Sequence, residues 1–196
     1  MLKKRICGID FSLSLLFPAA MVVMFTLDNS SLPIWCVAAS AMHEAGHFFA
    51  IYALGQKPHT IHAGIFGVRV IPNPNQSIGY AGQTLISLAG PAVNAISFAL
   101  IFAAYGWNIP SIVHFGLAAF NLLPVEPLDG GQALYFAMAS FCSKKTAERA
   151  VMAVSITILA PLSTAGFYLL IKSGYNFTLL AASAYLSLLI VLKRWK

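Results

Sequence analysis

Long apolar runs separated by short polar punctuation dominate the chain. Six can be marked off, at residues 11–27, 33–54, 83–104, 111–123, 150–171 and 176–192. A helix needs about 20 residues to cross the hydrocarbon core of a bilayer, and several of the runs reach that length. The pattern predicts an all-α polytopic membrane protein with six transmembrane helices. Two stretches break it. Residues 55–83 are rich in Gly, Pro and Asn, and within them "GIFGVRVI" is β-branched and aromatic before Pro72 and Pro74 turn the chain. These features predict a small membrane-associated β-hairpin between the second and third spans. An open strand edge cannot face lipid, so the hairpin belongs at the interface or along a wet cavity. Residues 121–142, "NLLPVEPLDGGQALYFAMASFC", carry two prolines and an Asp-Gly-Gly, which predict a broken backbone, and "SKKTAER" at 143–149 reads as a short cytoplasmic connection.

Composition agrees with a membrane protein: 59% of the residues are hydrophobic and only 9% charged, far from the balance of a soluble domain. The cations then orient it. With a cytoplasmic N-terminus, Lys172 alone of the 12 Lys and Arg residues falls outside, as the positive-inside rule requires of a multi-pass protein with both termini cytoplasmic. The net charge of +6 is thereby read as topology and contact with the lipid bilayer, with no nucleic-acid partner. A basic stretch before the first run resembles a secretory signal, but "TLDNSS" after it offers no cleavage site of small residues, so that helix is expected to be retained. Cys7, Cys36 and Cys142 are odd in number and suggest packing, with no disulfide framework. Residues 1–196 read as a single transmembrane domain.

Within the second run, "HEAGH" at 43–47 places three ionisable groups where each costs about 2.5–3.5 kcal/mol at the centre of a membrane helix. His43 and His47 are four residues apart and share one helix face, so both can hold one zinc ion. Glu44 stands beside that face, in reach of a water on the metal. Composition alone would produce such a motif roughly 0.002 times in this chain, so chance explains it poorly. A catalytic zinc takes three protein ligands and keeps a fourth position for water. The third ligand is sought among Asp10, Asp28, His59, His62, His114, Glu126 and Asp129. Asp129, in "PLDGG", is the strongest, because Pro127 interrupts the helix and the glycines permit close backbone approach. Its competing role is to cap a helix starting near Gly130. Glu126 is the reserve ligand.

Taken together, "HEAGH", "NLLPVEPLDGG" at 121–131 and "AGPAVN" at 89–94 resemble the motifs of the site-2 protease family of intramembrane zinc metalloproteases. The similarity spans roughly residues 35–140 and looks most like the branch of stage IV sporulation protein FB. No PDZ domain interrupts the loops, and the C-terminal CBS domain of that branch is not expected here. The resemblance implies one Zn2+ per chain held by His43, His47 and Asp129, with Glu44 as catalytic acid and base, and it suggests that Asn121 contacts the substrate backbone. Asn94 is read either as a second substrate-binding amide or as a polar link between helices.

The activity so implied is hydrolysis of a peptide bond in a membrane protein substrate, near the cytoplasmic side, as in regulated intramembrane proteolysis. A helical substrate must unwind first, which favours partners with a helix-weakened span. The strand at 64–71 either pairs with the unwound segment or plugs the cavity. Regulatory membrane proteins are the expected control. Competing functions are a zinc or other metal transporter and a catalytically silent membrane scaffold.

Overall fold

In a computed structural model, residues 2–6, 9–13, 16–56, 58–64, 67–72 and 78–194 are described, with side chains for 22–56 and 78–191. The chain forms two compact units, Met1–Asn121 and Leu122–Lys196.

The first unit begins with strands β1 (Leu2–Ile6) and β2 (Ile9–Leu13), and the first helix, α1 (Leu16–Leu27), follows them. Residues 11–13, expected at the start of a transmembrane helix, instead belong to β2. The reason is visible in "IDFSL", where Ile9, Phe11 and Leu13 alternate with Asp10 and Ser12 at the period of a strand. At about 1.5 Å per residue, the 12 residues of α1 cover about 18 Å. After α2 (Leu32–Ala53) come β3 (Pro58–Gly64) and β4 (Gly67–Pro72). The four strands form one sheet in the order β1-β2-β3-β4, with β2 parallel to β3 and the outer pairs antiparallel. His62 lies opposite Arg69 in the β3–β4 register. The stretch 64–71 thus holds the last residue of β3, Gly64, and residues 67–71 of β4.

A local hydrogen-bonded turn leads into α2. The Asp28 carboxylate accepts from the Ser30 N–H at 2.8 Å and the Ser30 hydroxyl accepts from the Leu32 N–H at 3.1 Å. Hydrogen bonds from the Ser30 hydroxyl and then from its backbone N–H hold the Asp28 carboxyl below its usual pKa. Pro33 sits in the first turn of α2, where its missing N–H costs nothing. Helix α3 (Tyr80–Tyr105) packs closely on α2, since a Cβ on Gly46 would lie 2.6 Å from the Ala89 carbonyl oxygen. Gly106, at φ +66°, ends α3, and reciprocal bonds between Asn108 and Ser111, both 2.9 Å, start α4 (Ile109–Asn121).

In the second unit, the expected broken segment contains a helix of its own, α5 (Asp129–Ala139). The supposed connection "SKKTAER" is mostly the first two turns of α6 (Lys144–Ser173). Ser143 is its N-cap, accepting from the Thr146 N–H at 3.2 Å, and this capping bond explains why so polar a stretch is helical. Gly174, in the left-handed region, closes α6 before α7 (Thr178–Arg194). Val125, Leu128, Leu159, Leu186 and Ile190 form the core of this unit.

Among the described residues, α3 and α6 are long and apolar enough to cross a membrane, while α4 and α7 are shorter apolar helices. Both long helices carry outward-facing apolar side chains, including Leu85, Ile96 and Leu100 on α3 and Ile156, Phe167 and Ile171 on α6. Apolar surface on this scale is stable against lipid and unstable in water.

Candidate metal centre

His43 and His47 lie on one face of α2 and are both buried, with their Nε2 atoms 3.1 Å apart. Two nitrogens bound tetrahedrally to one zinc at about 2.0–2.1 Å are roughly 3.3 Å apart, so the pair is already set for a shared ion. The His47 Nδ1 lies 2.7 Å from the Ile86 carbonyl oxygen. A carbonyl only accepts, so Nδ1 carries the proton and Nε2 keeps the lone pair a metal needs. Pro91 lies within α3 and cannot donate to the Ser87 carbonyl, which loosens the helix on the turn that supplies Ile86.

The space before the imidazoles is kept open by Gly90. A Cβ there would collide with the His47 Nε2 and lie 2.7 Å from the His43 Nε2. A donor pair with a cradle that one methyl group would fill fits a small cation. Glu44 is partly buried on the adjacent position of α2.

Asp129 is the first residue of α5, and the capping position expected of it belongs to Leu128, whose side chain makes no cap bond. The two glycines after it are required by the turn: a Cβ on Gly130 would strike the Leu122 carbonyl and one on Gly131 the Val125 carbonyl. The turn is anchored by the Glu126 N–H donating to the Ser155 hydroxyl at 2.8 Å, while that hydroxyl donates to the Val151 carbonyl at 2.7 Å. His43 and His47 stand in the first unit, and Asp129 opens the first helix of the second.

The other candidates fall elsewhere. The Asp28 carboxylate is engaged by the turn before α2, and the side chains of Asp10, His59 and His62 lie outside the described residues. Glu126, the reserve ligand, is partly exposed in the turn before α5. Asn121 donates through Nδ2 to the Leu117 carbonyl at 3.0 Å. Asn94, fully buried on α3, lies between two histidines: its Nδ2 is 3.2 Å from the His43 Nδ1 and its Oδ1 is 3.0 Å from the His114 Nδ1. Through these two contacts Asn94 links α3 to α2 and to α4. His114, set aside in the sequence for its distance from His47 along the spans, is 1% exposed and one hydrogen bond from the amide that holds His43. Its only signal in the sequence was an imidazole in an apolar run.

No family model matches the chain. A zinc metalloprotease of Methanocaldococcus jannaschii is 29% identical over 150 residues, which cover 66% of this chain and 43% of that protein. The chain therefore spans less than half the length of this relative. The solved structure of a site-2 protease from the same organism matches with a TM-score of 0.62 at 21% identity, over 94% of this chain and 91% of that one. The chain is thus similar in sequence to a zinc metalloprotease and in fold to a site-2 protease.

Proposed function

We propose that this protein is an intramembrane zinc metalloendopeptidase that hydrolyses a peptide bond of a membrane-spanning or membrane-associated protein near the cytoplasmic face. The observation that carries the reading is the pair of buried imidazoles with Nε2 atoms 3.1 Å apart, on a helix that also carries a glutamate one residue from the first histidine. His43, His47 and Asp129 hold one zinc ion per chain. When bound, that ion supplies Lewis acidity, lowering the pKa of water and stabilising negative charge on the carbonyl oxygen. Glu44 accepts the proton of the attacking water and returns it to the leaving amine, a general base and then a general acid. Asn121, partly exposed at the end of α4, offers its amide to the substrate backbone. The edge of β4 is the natural place for an unwound substrate segment to add as a strand. The distribution of Lys and Arg supports six membrane passages with both termini cytoplasmic.

The test is cleavage of single-span substrates by the purified protein reconstituted in lipid, with bound zinc measured in parallel. Glu44→Gln should keep its zinc while cleavage falls by about 10²–10⁴-fold, the usual contribution of a general acid-base group. Zinc uptake with no zinc-dependent cleavage by either form points to a carrier or scaffold and overturns the reading.

A further inference from the structure

We propose that the tip of the α3–α4 hairpin is seated in the boundary layer of a phospholipid bilayer, between headgroups and acyl chains, with Tyr105 and Trp107 as its anchors. The proposal concerns lipid contact and is independent of the zinc reading.

No Asp, Glu, Lys or Arg occurs between Arg69 and Glu126, a stretch that includes α3, α4 and the residues joining them. The joining segment therefore has no charge to hold it in water. Apolar side chains face outward right up to it, Phe102 on the last turn of α3 and Ile109 and Ile112 on the first turn of α4. Lifting the tip into water would hydrate these side chains, at a cost proportional to their area. The polar atoms of the tip, meanwhile, are satisfied from within. The Gly106 N–H donates to the Phe102 carbonyl at 2.8 Å and the Ile112 N–H to the Asn108 carbonyl at 3.0 Å. The Asn108 N–H donates to the Ser111 hydroxyl, and the Ser111 N–H to the Asn108 side-chain oxygen, both at 2.9 Å. Ser111 is fully buried, and its hydroxyl lies 2.9 Å from the Asn108 carbonyl. A turn that closes its own hydrogen bonds can enter a region poor in water.

The exposed rings then fix the level. Trp107 is 63% exposed and Tyr105 78%, and each joins an apolar body to one polar group. That combination suits neither water nor the middle of the hydrocarbon, and Trp and Tyr accordingly gather at the boundary between them. The indole is also held by both helices. Its centroid is 5.0 Å from that of Phe102 and 5.8 Å from that of Phe98 on α3, and 6.2 Å from that of Phe115 on α4. Phe98 and Phe115 themselves stand 5.0 Å apart, so an anchored indole holds the hairpin and not its own side chain alone. At about 1.5 Å per residue, the 13 residues of α4 cover about 20 Å, less than the roughly 30 Å of a hydrocarbon core. Such a helix has no length to spare outside the bilayer. Asn94 lies 11 residues before Tyr105 on the same helix, about 16 Å along it, so seating the tip also sets the level of the amide that joins α2 and α4.

The full chain reconstituted in phosphatidylcholine vesicles provides the test. Trp35→Phe combined with Trp195→Phe leaves Trp107 as the single tryptophan of the chain. Its fluorescence should lose more to lipids brominated on the acyl chain near the headgroup than to lipids brominated near the chain end, and little to iodide in the water. Strong quenching by iodide without quenching by brominated lipid puts the tip in water and overturns the proposal. Strongest quenching by the chain-end bromines overturns it too, as does insensitivity to both quenchers, the result expected if a second copy or another protein covers the ring. If the double variant fails to fold, the difference in emission between wild type and Trp107→Phe carries the same signal. Zinc-free protein should give the same quenching pattern, so a failure of the metal reading leaves this result intact.

Discussion

The side chains buried in Met1–Asn121 include His43, His47, Asn94, Ser111 and His114, whereas the core of Leu122–Lys196 is built of Val125, Leu128, Leu159, Leu186 and Ile190. The first interior is set by directional bonds, each with a definite donor and acceptor, so a change of one atom type misplaces a ring. The second is set by volume and shape and tolerates substitutions that conserve them. The difference teaches a division of labour. One unit fixes the angles of two imidazoles, and the other holds a proline- and glycine-shaped turn at the start of α5.

Three substitutions sharpen or break this contrast. Leu159→Ala should have the largest effect on stability, about 2–5 kcal/mol as for other buried leucines, measured by unfolding in detergent. Zinc affinity of the molecules that remain folded should be unchanged, and a parallel loss of both would erase the distinction. Gly90→Ala should behave in the opposite way. Its methyl group lands on the His47 Nε2, and overpacking of about 1–3 kcal/mol corresponds to roughly ten- to a hundredfold weaker zinc binding, read by chelator competition. Wild-type affinity in that variant would show that the cradle is not where the ion sits. Ser155→Ala is the smallest case, a polar exception in the apolar unit. It strands the Glu126 N–H and should cost about 1–2 kcal/mol, and faster hydrogen exchange at Glu126 would report the loosened turn.

The two units also differ in how openly the sequence announced them. "HEAGH" was legible because helical spacing alone sets His43 and His47 on one face, and "PLDGG" because proline and glycine specify backbone with little help from the rest of the chain. The strand β2 was hidden by its surroundings. Its alternation of Ile9, Phe11 and Leu13 with polar residues runs directly into the apolar helix α1, so hydrophobicity averaged over the stretch resembles a span. The start of α6 was hidden in the reverse manner, because "KKTAER" lacks apolar character and its helicity depends on one serine hydroxyl at position 143. His114 could not be found by spacing at all. It is 20 residues from Asn94 and 67 from His47, and only the packing of α3 on α4 brings its ring to the amide.

Helix α4 contributes no ligand, yet through His114 it shares an amide with the helix that carries both imidazoles. A disturbance of α4 at His114 therefore reaches His43 through a single amide.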